Sequence, residues 1–181
     1  MKDALDPGRK RTLLELARTS IRRHLETGTA GKAPASDPVL NEARGAFVTL
    51  KVDGELRGCI GFPLPHKSLA LTVQEAAVLA ASQDYRFEPL RLEEMARLKI
   101  EISVLSLPRP VRSPEEVEVG THGIIISKGS NKGLLLPQVP GEYGWDRETF
   151  LRHGCLKAGL PEDAWKKGAK VEIFTAQVFS E

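Results

Sequence analysis

Cysteine is nearly absent from this chain, with two in 181 residues. That excludes a disulfide framework and favours a reducing compartment. There is no CxxC or HExxH pair, and the four histidines (His24, His66, His122 and His153) stand far apart. No metal site is therefore expected from spacing. No glycine-rich loop of the P-loop or dinucleotide type precedes a helix, and no GxSxG elbow occurs. Neither a phosphate cradle nor a hydrolase serine is encoded by motif, and no cofactor follows. Long apolar runs are missing as well: the N-terminus is charged, without the core of a secretory signal, and nothing approaches a membrane span. The expectation is a cytoplasmic protein with no membrane partner. Charge of one sign is not in excess either, since the net charge is +2. The first 32 residues are locally basic, with eight Lys/Arg against four Asp/Glu, a pattern read as a solvated helix face rather than a nucleic-acid site.

What is present is an ordinary folded composition, 41% apolar and 28% charged, of a length that suits one domain or two small halves sharing a core. Asp6-Pro7 is a helix start, and Leu14, Ala17, Ile21 and Leu25 recur at helical spacing up to Gly28. Residues 29–38 read as a loop. A hairpin is predicted from Gly45 to Phe62 around Asp53-Gly54, a strong two-residue turn signal. Ser68 caps an alanine-rich helix over 69–83, a short helix covers about 91–97, and 99–104 alternates as a strand. After a proline-rich connection (106–116), the strands 124–126 and 134–138 flank a turn. Asp146 caps a helix over about 147–158, Pro161 opens a short helix with Trp165, and 170–174 is a strand.

Both halves thus run hairpin, long helix, short helix, strand, and Lys99-Ile-Glu-Ile is echoed by Lys170-Val-Glu-Ile 71 residues on. The reading is an α+β fold of two such repeats, about 45–106 and 117–179, forming one mainly antiparallel sheet with helices on its faces. Residues 1–38 form an N-terminal helix and loop, and 39–181 the domain proper.

The chemistry concentrates in Leu56-Arg57-Gly58-Cys59-Ile60-Gly61. Strict alternation puts Arg57, Cys59 and Gly61 on one face of a strand and Leu56, Gly58 and Ile60 on the other. A nearby cation favours the thiolate, and strand glycines mark a close approach by a ligand or a backbone; a small buried cysteine is the competing reading. With a two-residue turn Cys59 faces Val48 and Arg57 faces Leu50, a register that buries the thiol; a bulge changes it. Cys59, Arg57, Glu101 and His122 are the candidate catalytic residues. Arg57, Gly58, Gly61, Asp84, Arg86 and Ser103 are the candidate ligand contacts. Asp84 and Arg86 also suit a mutual pair at a helix end, Glu101 recurs as Glu172, and His122 suits a loop. Cys155 falls at core spacing with Leu151 and Ala158.

The chain resembles the AMMECR family, whose prokaryotic members are called AmmeMemoRadiSam system protein A. Leu56 to Gly61 matches its six-residue signature. Gly45 to Leu50, Asp84 to Leu90, Ile100 to Ser106, His122-Gly123, Gly133 to Gln138 and Cys155 to Leu160 match in order. The resemblance covers about residues 39–181 and implies a two-repeat α+β architecture. It also implies a neighbourhood, a Memo-like protein and a radical S-adenosylmethionine protein, but no reaction. Two functions follow. One is an accessory component that binds those partners, a peptide or a small molecule in a cleft around the signature. The other is an enzyme with Cys59 as nucleophile and Arg57 as stabiliser of the thiolate or of an anionic substrate.

Overall fold

Helix ends in this chain are set by local chemistry. The computed structural model describes residues 5–31 and 37–181; residues 32–36 of the expected loop lie outside the described residues. Helix α1 spans Pro7–Thr27, with the Asp6 side chain accepting the Arg9 N–H and Gly28 closing it at φ 75°. Strands β1 (Ala46–Val52) and β2 (Glu55–Phe62) form the hairpin. Helix α2 (Leu69–Ser82) begins at Ser68, whose hydroxyl accepts the Leu71 N–H. A 3₁₀ turn (Leu92–Ala96) and strand β3 (Leu98–Leu105) follow. Then come β4 (Arg109–Pro110), a 3₁₀ turn at Pro114–Glu116, β5 (Gly123–Lys128) and β6 (Asn131–Leu135). Helices α3 (Val139–Tyr143) and α4 (Arg147–Lys157), a 3₁₀ turn at Ala164–Lys166, β7 (Lys170–Phe174) and β8 (Ala176–Ser180) complete the chain.

The chain divides into two units: residues up to Leu105 together with Gln177–Glu181, and Ser106–Ala176. In the first, the strand order is β2-β1-β3-β8. Helix α2 lies across β1 and β2, and α1 packs on α2 and β3. Val48, Leu50, Ile100, Ile102 and Val104 meet Val73, Ala76, Ala77 and Ala80 in a fully buried core that also takes in Leu13, Ala17 and Ile21 of α1. The N-terminal helix is thus part of this unit's core. In the second unit the order is β4-β7-β5-β6, and α4 covers β5 and β6. Ile124, Ile126, Phe150, Leu151, Cys155 and Ile173 form its core. Cys155 is fully buried as expected, and desolvation pushes its thiol above the ordinary value.

The duplication is visible in the topology, since β2-β1-β3 and β6-β5-β7 share one order. It extends to packing. A Cβ at Gly58 would overlap the Ala80 carbonyl near the end of α2, and one at Gly133 would overlap the backbone at Lys157 and Ala158 near the end of α4. In each repeat a glycine on the second hairpin strand lets the helix backbone come close. The α+β class and antiparallel pairing agree with the expectation, but the strands make two four-stranded sheets rather than one continuous sheet. Strand β6 starts at Asn131, three residues earlier than alternation suggests, because Gly133 pairs with Ile126 inside the ladder. Strands β4 and β8 and helix α3 carry no strong local signal and were not anticipated. Among the described residues no helix is long and apolar enough to cross a membrane.

Candidate functional site

The turn at Asp53-Gly54 has positive φ at both residues, 53° and 87°, as the two-residue hairpin requires. Val52 pairs with Glu55 and Lys51 with Leu56, but Leu50 then pairs with Gly58. Arg57 is the extra residue of a β-bulge. This corrects the simple register: Cys59 lies opposite Thr49, not Val48, and Arg57 has no partner across the ladder. Leu56 and Cys59 now share a face, the one opposite the α2 core.

The half-buried Cys59 is held on three sides. The Thr49 hydroxyl donates to its Sγ at 3.3 Å. Its N–H donates to Asp84 Oδ2 at 2.8 Å, and its carbonyl accepts from Arg86 Nη2 at 3.4 Å. Both backbone groups therefore point away from β1, which makes Cys59–Thr49 a close, non-hydrogen-bonded pair. Strand β2 is a sheet edge, and Asp84 and Arg86 occupy at Cys59 the donor and acceptor that another strand would use.

Asp84 is 4% exposed. Arg86 grips it through Nε (2.9 Å) and Nη2 (2.6 Å), and its backbone N–H adds a third bond at 3.2 Å. The Arg86 guanidinium, followed by the Cys59 N–H, holds the Asp84 carboxyl well below the usual carboxylate range. The mutual pair expected at the helix end is thus present, and it also anchors β2. Tyr85, between the two, is 95% exposed.

Arg57 does different work. Its guanidinium makes a bidentate pair with Glu94 (2.8 and 3.0 Å) and donates to the carbonyls of Glu88 (2.6 Å) and Pro89 (3.2 Å). That pairing pulls the Glu94 carboxyl below its ordinary value. Arg57 fastens the 84–94 connection to β2, while the hydrogen bond to the sulfur comes from Thr49.

Across the open face, Thr49 also pairs with Glu101 on β3, so Cys59, Thr49 and Glu101 form one row. Glu101 accepts from Lys51 at 3.4 Å. Ser103 lies in the next row beside Phe47 and Gly61, and a Cβ at Gly61 would overlap both the Phe47 ring and the Ala46 carbonyl. His122 belongs to the second unit, where its Nδ1 accepts the Glu118 N–H at 3.1 Å. The structure thus gathers Gly58, Cys59, Gly61, Asp84 and Arg86 around β2, with Glu101 and Ser103 on the same sheet face. Thr49, Lys51, Leu56 and Glu94 were missed. The first three became visible only with the bulged register, and Glu94 has no local signal. Among the described residues no three His, Cys, Asp or Glu side chains are placed to hold a metal ion.

A family model described as AMMECR1 matches residues 14–179, beginning inside α1 and so ahead of residue 39. The chain is 49% identical over 179 residues to protein MK0488 of Methanopyrus kandleri, covering 93% of this chain and 86% of that one. It is 47% identical over 149 residues to protein Mbar_A1807 of Methanosarcina barkeri, covering 80% and 74%. The crystal structure of the uncharacterized protein PH0010 from Pyrococcus horikoshii superposes with a TM-score of 0.78 at 45% identity, covering 93% of this chain and 89% of that chain.

Proposed function

The chain belongs to the AMMECR1 family, and from that premise we propose that it is an accessory binding protein. It docks a Memo-like protein through the Cys59 face of β2 and the adjoining Tyr85 turn, in a set that includes a radical S-adenosylmethionine protein. Tyr85 carries this reading. A tyrosine 95% exposed is unusual in itself. Here it also sits between the two residues of the Asp84–Arg86 ion pair, whose carboxylate is buried, so the turn that presents it is pre-organised. Rigidly presented Tyr and Arg side chains are the usual anchors of protein interfaces, and pre-organisation spares the partner the cost of ordering them. Leu56, 42% exposed, adds an apolar contact, and Glu101 with Lys51 supplies a polar margin. Because side chains close the β2 edge at Cys59, the partner meets side chains and not a free ladder.

The test is association of the full chain with a purified Memo-like protein, measured by calorimetry. Tyr85→Ala combined with Leu56→Glu is expected to weaken binding by at least about tenfold while leaving the circular dichroism unchanged. A folded double variant that binds as well as the parent would sink the reading. The enzyme alternative has less support. The Arg57 guanidinium is already used by Glu94 and two carbonyls, and no titratable side chain is hydrogen-bonded to the Cys59 sulfur among the described residues.

A further inference from the structure

A second feature lies in the Ser106–Ala176 unit, beside the proline-rich connection. It is a cavity of about 210 Å³ lined by apolar Val111, Leu151 and Val171, by Trp165, and by Arg112 and Lys170. The lining holds two cations and no carboxylate. The carboxylates nearest in sequence are committed elsewhere. Glu116 accepts from Arg109 at 2.8 Å and from the backbone N–H of Arg112 at 2.7 Å. Glu115 is bonded by Ser113, and Glu172 takes the Lys170 ammonium at 2.8 Å. The Arg112 guanidinium is left without a hydrogen bond or ion pair among the described residues. Trp165 contributes an indole N–H that is buried and has no acceptor among the described residues, which is costly in a folded protein.

We propose that this cavity binds a small amphipathic carboxylate. Its apolar body lies against Leu151, Val171 and the Trp165 ring, and its carboxylate pairs with Arg112. An unpaired guanidinium in the lining of a cavity that also has apolar walls is chemically matched to such a ligand, because the planar fork takes a carboxylate through two parallel bonds. Lys170 adds positive potential but is partly neutralised by Glu172. The volume suits a ligand of roughly ten non-hydrogen atoms, below the drug-sized ligands that fill pockets of about 300–1,000 Å³.

Phenylacetate is the probe, and the readout is the indole cross-peak of Trp165 in ¹H–¹⁵N spectra of the full chain. The chain has two tryptophans, and loss of one peak in Trp165→Phe assigns it. Phenylacetate is expected to move the Trp165 peak saturably, with a dissociation constant on the order of 1 mM. The neutral isostere phenylacetamide is expected to bind about tenfold more weakly, and Arg112→Gln to reduce phenylacetate to the amide's affinity. Arg112 is exposed and its side chain makes no bond among the described residues, so the variant keeps its fold, which the remaining cross-peaks verify. The proposal is overturned if the peak stays in place up to about 50 mM phenylacetate, or if the amide binds equally well. It is also overturned if Arg112→Gln changes nothing, or if inorganic phosphate alone shifts the peak as strongly as phenylacetate.

Discussion

Asp84 concentrates three constraints in one carboxylate: it is buried, paired to Arg86, and bonded to the backbone of Cys59. Its carboxyl is held below the ordinary value of 3.8, chiefly by the Arg86 hydrogen bond. As pH falls, the unfolded chain therefore takes up this proton before the folded one does. The stability that Asp84 provides is complete above about pH 5 and drains away as pH drops through about 4 towards the depressed folded value. Asp84→Asn is expected to lower stability at neutral pH by about 2 kcal/mol, less than for a fully buried pair because Arg86 is half solvated. The variant is also expected to show a shallower loss between about pH 5 and pH 3 than the parent. Urea midpoints across that range check both. Parallel acid profiles for the two proteins would mean that the clamp contributes nothing to folding.

Strand and helix meet most tightly where β2 crosses α2. A methyl group at Gly58 would overlap the Ala80 carbonyl, helix backbone that cannot swing aside; at Gly61 it would overlap the Phe47 ring, which can rotate, and less deeply the Ala46 carbonyl, which cannot. Gly58→Ala is thus expected to cost about 3 kcal/mol or more, and Gly61→Ala somewhat less, about 2 kcal/mol, because its backbone overlap is shallower. Denaturant titration would reveal the order, and equal costs would mean that α2 yields as readily as the hairpin around Gly61. The same pair of elements shows what could be read from sequence. The caps Asp6, Ser68 and Asp146, the Asp53-Gly54 turn and the strand alternation are legible because their causes lie within four residues. The bulge is not: Arg57 is drawn out of the ladder by Glu94 and by the carbonyls of Glu88 and Pro89, more than thirty residues away. That one shift moved Leu56 onto the Cys59 face and replaced Val48 by Thr49 beside the sulfur. Composition pointed to the right strand, while only long-range bonding decided which way it faced.

Repetition shaped the molecule, but the final strand departs from it. After β7 the chain leaves the second unit, and Gln177–Glu181 belongs to the first, where β8 extends the sheet beside β3. Side-chain hydrogen bonds help to fix this return. Gln177 Oε1 accepts the Leu5 N–H at 3.0 Å, Arg18 grips the Glu181 carboxylate at 2.6 and 2.5 Å, and that carboxylate also accepts the Ile100 N–H at 3.3 Å. Arg18 reaches further, to the carbonyls of Met95 and Leu98, so one side chain joins α1, β3 and the returning segment. Removing Gln177–Glu181 unpairs β3 along one side and deprives Arg18 of its carboxylate partner, while leaving every strand of the β4-β7-β5-β6 sheet in place. Hydrogen exchange of the shortened chain is expected to accelerate at β3 and α1, with little change at β5 and β7. Equal acceleration in both units would mean that they unfold as one cooperative body. A selective effect would mean that two repeats alike in strand order differ in what secures them. The first depends on a segment supplied from the far end of the chain, whereas the residues of the second form one continuous stretch.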